Sequence, residues 1–227
     1  MAVLLRVYYW LRLAASNTPR YTCPCCGYSG RLLDVRRTTG HRLSAKCPKC
    51  SALERHRLQS LVLDRINLKG GLEILHFAPE PFFRQRLAVG AKRYETADID
   101  RPDVDHLVDI QKLPFSDASF DLVYASHVME HIQDESRGLI EVARVLRPGG
   151  MAILPVPIVR EVTEEYDEPN PDETMHWRAP GKDYFDRLRA VFSQVDVFDS
   201  HMFDERFQPF VIEPDKRVSD YVPVCRV

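Results

Sequence analysis

The sequence predicts an α/β protein: a mostly parallel sheet with helices on both faces, preceded by a small metal-stapled module. From residue 72 onward, short apolar runs of strand length alternate with segments of helical spacing, the pattern of βαβ units. Ahead of them, five of the six cysteines fall in two tight clusters. A length of 227 residues with 44% hydrophobic content suffices for one well-packed domain and a small appendage.

The opening stretch Met1 to Leu13 is apolar but interrupted by Arg6 and Arg12. It falls short of the roughly 20 residues that span a bilayer and has no basic segment ahead of an unbroken apolar core. Residues 1–19 are expected to form a helix docked on the body. Contact of residues 1–15 with a membrane surface is the other reading, carried by their Arg, Trp and Tyr content. Without an export signal, the chain is expected in the cytoplasm.

The clusters are Cys23-Pro24-Cys25-Cys26-Gly27 and Cys47-Pro48-Lys49-Cys50. Cys23, Cys26, Cys47 and Cys50 make two Cys-x2-Cys pairs 20 residues apart, which is zinc-ribbon spacing. Two residues between thiolates let a tight turn aim both sulfurs at one ion. A disulfide framework is disfavoured because a cytoplasmic chain sits in a reducing compartment. Four thiolates close the metal's shell, so the zinc is expected to be structural. Cys25 stays open as a substitute for Cys26, and Cys225 reads as a small buried hydrophobe.

Between the clusters, 31–37 and 41–46 read as two strands joined by Thr38-Thr39-Gly40. Ser51-Ala52-Leu53-Glu54 reads as a capping box opening a helix to about Asn67. The ribbon with its linking helix is therefore expected over 20–70 and the main domain over 71–227. Residues 1–57 hold 11 Lys and Arg against two acids, a net of +9, and Arg55, His56 and Arg57 extend that basic surface. Such asymmetry suits an anionic partner, such as RNA, a phospholipid surface or a phosphorylated glycan. Attraction to the acidic remainder of the chain is the alternative.

In the body, strands are expected near 72–77, 93–99, 104–109, 120–125 and 151–156. Helices are expected at 82–89, 135–146 and 182–192, and two late strands near 195–198 and 221–227 would complete a seven-stranded sheet. Ligands of such sheets bind beyond the carboxyl ends of the strands. Those ends carry Ala78-Pro79-Glu80, then Asp98 and Asp100, then Asp109, then Ser126-His127. Carboxylates there suit a cofactor bearing ribose hydroxyls and an adenine amine, although a single Asp after a strand is commonly a turn residue.

The stretch Asp109 to Val123, then His127-Val128-Met129-Glu130-His131, then Glu141 to Gly150 with its Arg147-Pro148-Gly149-Gly150, resembles the class I S-adenosylmethionine-dependent methyltransferases, in their methyltransferase type 11-like branch. With Cys47-Pro48-Lys49-Cys50, Glu54-Arg55-His56-Arg57 and His76-Phe77-Ala78-Pro79-Glu80, it is similar to a bacterial subgroup that carries an N-terminal zinc ribbon. The resemblance implies a Rossmann-like fold. It implies that Asp98 binds the ribose hydroxyls, that Asp109 and Ile110 hold the adenine, and that the chain near Ser126 meets the methionine moiety. The cofactor set it implies is Phe77, Ala78, Pro79, Glu80, Asp98, Ile99, Asp109, Ile110, Ser126 and His127. The departure lies in the first loop, where His76 stands for the family's acid and Ala78 and Glu80 for its glycines. Pro79 biases Ala78 toward an extended conformation, which predicts a proline-stiffened cofactor loop. Glu80 either complements the next helix's dipole or meets the cofactor.

Methyl transfer to an alcohol or amine needs alignment and removal of a proton. The candidate bases are His127, His131 (expected four residues along one helical face from His127) and His176. His176, Trp177 and Arg178 lie in an acidic, proline-containing loop after the fifth strand. Trp177 is a candidate to stack on a sugar or ring and Arg178 to hold a carboxylate or phosphate, unless the trio only closes a lid. The function expected is O-methylation, ahead of N-methylation, of a small metabolite or bacterial glycan. The alternatives are an RNA methyltransferase that grips phosphates with the basic segment, and a cofactor-binding protein without the reaction.

Overall fold

The structure is a computed structural model describing residues 19–37 and 40–227. The helix expected over residues 1–19 and its membrane contact fall outside the described residues, save residue 19. Two compact units emerge: residues up to Leu61 with Phe203–Ser219, and Val62–Met202 with Asp220–Val227. The division between the units at Leu61/Val62 lies inside the helix Glu54–Ile66, ahead of the expected 70/71. The body is also interrupted near its end by a segment that belongs to the first unit.

In the first unit, β1 (Tyr21–Thr22) pairs antiparallel with β2 (Ser29–Gly30), and β3 (Leu33–Arg37) with β4 (Gly40–Lys46). Helix α1 (Glu54–Ile66) begins here. Its start corrects the capping-box expectation. Ser51 sits at φ +64° in the turn after Cys50, and the Leu53 amide donates instead to His56 Nδ1 at 2.9 Å. The basic-surface expectation fails at two of its three added positions, because His56 is 4% exposed and Arg57 0%. Arg57 donates to the carbonyls of Ser44, Ala45, Ala52 and Gln208, and Arg42 pairs with buried Glu54 at 2.8 Å. These guanidiniums tie the unit together rather than face a partner. Two short strands of the late segment, β13 (Val211–Ile212) and β14 (Arg217–Val218), pair with each other.

The second unit contains β5 (Glu73–Phe77), α2 (Pro81–Ala88), β6 (Arg93–Asp98), β7 (His106–Leu107), β8 (Phe120–Ala125), α3 (Glu135–Val145), β9 (Leu146–Ile153), β10 (Glu164–Asn170), β11 (His176–Ala179), α4 (Tyr184–Arg189), β12 (Gln194–Asp199) and β15 (Tyr221–Arg226). Seven strands form one sheet in the order β12-β15-β9-β8-β5-β6-β7. All neighbours are parallel except at β15, which is antiparallel to both β9 and β12. The result is the expected Rossmann-like, mostly parallel seven-stranded sheet. Its central strand β8 is almost wholly buried, as strands covered on both faces must be. Leu75, Val123 and Leu154 pack with Leu139, Val142 and Val145 of α3, which recur every third residue on one helical face. Asp134 starts α3 by accepting the Arg137 amide at 3.0 Å.

Two local expectations change form. The turn at Arg147-Pro148-Gly149-Gly150 lies within β9 as a bulge: Phe120 pairs with Leu146, yet Leu122 pairs with Met151, and Gly149 adopts φ +78°. The loop expected over 169–178 is an antiparallel hairpin of β10 and β11. Among the described residues, no helix is long and apolar enough to cross a membrane.

Candidate functional site

Strand order reverses at β5, which pairs in parallel with β6 on one side and β8 on the other. A cleft of about 310 Å³ opens there, lined by Phe77, Ala78, Asp98, Ile99, Val108, Asp109, Ile110, His127, Val128, His131 and Ile132. This is where open α/β sheets bind ligands, and the volume falls at the lower end of small-molecule sites. Seven of the expected cofactor residues line it. Val108, Val128 and Ile132 are additional apolar walls, adjacent in sequence to Asp109, His127 and His131. Pro79, Glu80 and Ser126 are not among the lining residues.

The strand ends place polar groups in order around this cleft. Asp98 ends β6 and accepts the Asp100 amide at 3.2 Å. Asp109 accepts the Gln111 amide at 2.8 Å and the Gln111 side-chain amide at 3.1 Å, so its carboxylate is oriented before any ligand arrives.

The loop after β5 corrects one expectation and explains another. Ala78 is not extended but left-handed, at φ +44°, while its amide donates to the Ala97 carbonyl at 2.9 Å. The parallel β5–β6 pairing carries that hydrogen bond past the strand end. Ala78 therefore takes the backbone conformation that glycine adopts without strain, despite the proline that follows. Glu80 occupies the N-cap position of α2, with Pro81 behind it, and its side chain makes no capping hydrogen bond.

His76 is fully buried, and burial pushes its pKa down to about 3, leaving the ring neutral. Burial likewise pushes Tyr94 up to about 12, so its hydroxyl keeps the proton, and it shares a hydrogen bond with His76 Nδ1 at 2.8 Å. The Tyr124 ring meets His76 edge-on, with centroids 5.0 Å apart.

The three candidate bases converge, although not along a helix. His127 adopts φ +54°, its amide bonded to the Pro155 carbonyl, and a single 3-10 turn, Met129–His131, follows. Glu130, absent from the expected set, is the hub. Its Oε1 lies 3.1 Å from His127 Nδ1, and its own exposure is 1%. Burial raises the Glu130 carboxyl, but the His127 hydrogen bond and charge outweigh that and hold it below the usual carboxylate range. The His131 and His176 rings meet edge to face, 4.6 Å apart, and burial lowers His176. An acid flanked by His127 and His131 within five residues was the available sequence signal.

Arg178 is corrected. It is 3% exposed and directs Nε to Glu165 at 2.8 Å, Nη1 to the carbonyls of Met129 and Ile132, and Nη2 to that of Gln133. With four of five donors engaged, it positions the histidine turn against β11 rather than binding a substrate's anion. Trp177 is half-buried on β11 and does not line the cleft.

In the first unit, Cys23, Cys26, Cys47 and Cys50 bring their sulfurs within 4.8 Å of one another. The distances Cys23–Cys50 and Cys26–Cys47 are both 3.7 Å. Four sulfurs about 2.3 Å from one tetrahedral ion sit about 3.8 Å apart, whereas a disulfide needs about 2 Å. The donor set fits zinc. The two turns share one design, with Gly27 and Ser51 left-handed and donating to the carbonyls of Cys23 and Cys47. Burial raises the Cys47 thiol, yet amides of Cys50 and Lys49 outweigh it and hold it below the usual cysteine range. Cys25 points elsewhere, to the His56 carbonyl at 3.5 Å, so Cys26 completes the set.

Residues 85–154 match a family model described as a methyltransferase domain. A demethylmenaquinone methyltransferase of Clavibacter sepedonicus is 36% identical over 97 residues, covering 40% of this chain and 38% of that protein. A malonyl-[acyl-carrier protein] O-methyltransferase of Erwinia billingiae is 40% identical over 67 residues, covering 30% of this chain and 25% of that protein. In both cases the matched stretch spans well under two-thirds of the relative's length. Among solved structures, the 1,6-didemethyltoxoflavin-N1-methyltransferase of Burkholderia thailandensis, with bound S-adenosylhomocysteine, shares the fold at a TM-score of 0.56 and 16% identity, covering 76% of this chain and 77% of that one. Strand order, cleft position and the family-model match agree: the fold is Rossmann-like, and its residues 85–154 are similar to a methyltransferase domain.

Proposed function

We propose that the chain binds S-adenosylmethionine in the β5–β6–β8 cleft and methylates a hydroxyl, ahead of an amine, of a small metabolite or glycan. The observation that carries this reading is the cleft at the switch point with Asp98 and Asp109 at successive strand ends. When bound, the sulfonium supplies an electrophilic methyl group. Asp98 accepts hydrogen bonds from the ribose hydroxyls, Asp109 with Ile110 holds the adenine edge, and Phe77, Ile99 and Val108 exclude water from its faces. His131, exposed at the cleft wall, receives the acceptor's proton with His176 against its ring, while His127 and Glu130 hold that wall in place. The four cysteines hold a structural zinc in the same reading, which places the chain in a reducing compartment such as the cytoplasm.

Calorimetry with S-adenosylmethionine tests the proposal. Saturable binding is expected, weakened more than tenfold in Asp98→Ala, which corresponds to at least about 1.4 kcal/mol. No heat of binding in the unaltered chain rejects it, and an unchanged affinity in Asp98→Ala removes Asp98 from the site.

A further inference from the structure

Beside the cleft, Glu130, His131 and His176 each direct a ligand atom into one small volume, all within 4.8 Å of one another. The Glu130 carboxylate is divided between two tasks. Oε1 is held by His127 at 3.1 Å, while Oε2 is buried and has no hydrogen-bond partner. A carboxylate oxygen on a residue 1% exposed loses its hydration without compensation unless something else meets it. The carboxylate's companions in this cluster are two imidazoles, which offer nitrogen lone pairs when neutral. Two histidines and one carboxylate on one side, with the remaining positions open, form the donor set of catalytic rather than structural divalent metals. The side-chain movement needed is small, because donors about 2.1 Å from one ion lie roughly 3.3 to 4.2 Å apart.

The supporting contacts have the character of a metal shell. His127 orients the carboxylate from behind. Arg178 pins the carbonyls of Met129 and Ile132 on either side of His131. Glu173 Oε2 stands 3.8 Å from His176 Nδ1, facing that ring from its own hairpin. His131 also lines the cleft, so an ion held here has its open side toward bound ligands.

We infer that Glu130, His131 and His176 bind a divalent transition-metal ion, separate from the four-cysteine centre, whose open position takes the hydroxyl of the methyl acceptor. The metal site stands on its own geometry; its role in the reaction rests on the transferase reading. With the ion bound, His131 is a ligand and no longer the proton acceptor of the metal-free reading: coordination lowers the hydroxyl's pKa, and its proton leaves to solvent. The resulting oxygen lone pair then forms the O–CH3 bond as the S–CH3 bond breaks, and the sulfonium becomes a thioether. The acceptor class this favours is an alcohol or phenol with a second oxygen close enough to chelate.

Titration of the metal-stripped full chain with Co2+ tests the site, because thiolate and imidazole–carboxylate sites differ in their spectra. The expected result is two ions per chain, one with intense thiolate-to-cobalt charge transfer and one without. In His131→Ala and in His176→Ala the second ion should bind at least tenfold more weakly, while the thiolate band is retained and shows that the chain is folded. A single, purely thiolate-bound ion in the unaltered chain overturns the proposal, as does an unchanged second ion in both variants. Calorimetry with S-adenosylmethionine in metal-free buffer separates the two readings. Cofactor binding without a second metal sinks only this inference, and a second metal without cofactor binding sinks only the transferase.

Discussion

At the scale of single residues, the site is built by side chains whose charge state is set by burial. His76, on β5, stays neutral, with its pKa about 3 against an ordinary value near 6.5. The unfolded chain therefore binds this proton at higher pH than the folded one, so stability is fully present above about pH 6.5 and is lost as the pH falls toward 3. The contribution is up to about 5 kcal/mol. Chemical denaturation at pH 7 and pH 4.5 should show that loss, and His76→Gln should flatten this part of the slope. An equal slope in the variant assigns the acid sensitivity elsewhere. The same scale explains the loop without glycine. Ala78 accepts a left-handed backbone, at a cost of about 1 to 2 kcal/mol, because the β5–β6 hydrogen bond at its amide demands it.

At the scale of elements, the β10–β11 hairpin matters through Arg178. Three carbonyls of the turn before α3 receive their donors from this one side chain, and Glu165 on β10 balances its charge while also pairing with Arg187 of α4 at 2.6 Å. Replacing Arg178 with Met leaves those carbonyls and Glu165 without it, at an expected cost of about 3 kcal/mol or more. Denaturation midpoints should fall, and amide exchange around residues 129–133 should accelerate. A raised KM at unchanged stability would instead mark Arg178 as a substrate ligand. The element boundaries were largely legible: β5, β6, β8, α3, β12 and β15 fall within two residues of their expected ends. The hairpin was not, because Pro169, Asn170 and Pro171 read as loop punctuation, while Glu164–Ala179 and Glu165–Arg178 pairing depends on chain partners far apart in sequence.

At the scale of the whole molecule, the first unit is discontinuous in the chain. Gln208 accepts Arg57 Nε at 3.0 Å and donates to the Ser44 carbonyl at 3.0 Å, so residues 203–219 share the ribbon's hydrogen bonds. Small metal modules commonly fold only with their ion. Chelation with a membrane-impermeant or soluble zinc chelator should therefore release exchange protection in 19–61 and 203–219 together, ahead of β5 and β8. Protection retained in 203–219 while the ribbon opens would show that the segment folds with the body instead.

The sequence by itself determined the layered α/β plan, the pairing of Cys23, Cys26, Cys47 and Cys50 as one cluster and the order of acids along the strand ends, because those follow from local periodicity and fixed short spacings. Only the tertiary structure decided that Ala78 is left-handed, that Arg57 and Arg178 are internal struts, that Glu130 joins His127, His131 and His176, and that residues 203–219 belong with the ribbon. Each depends on which buried polar group finds which partner across a long stretch of chain, and that pairing is settled only when the desolvated groups are brought together.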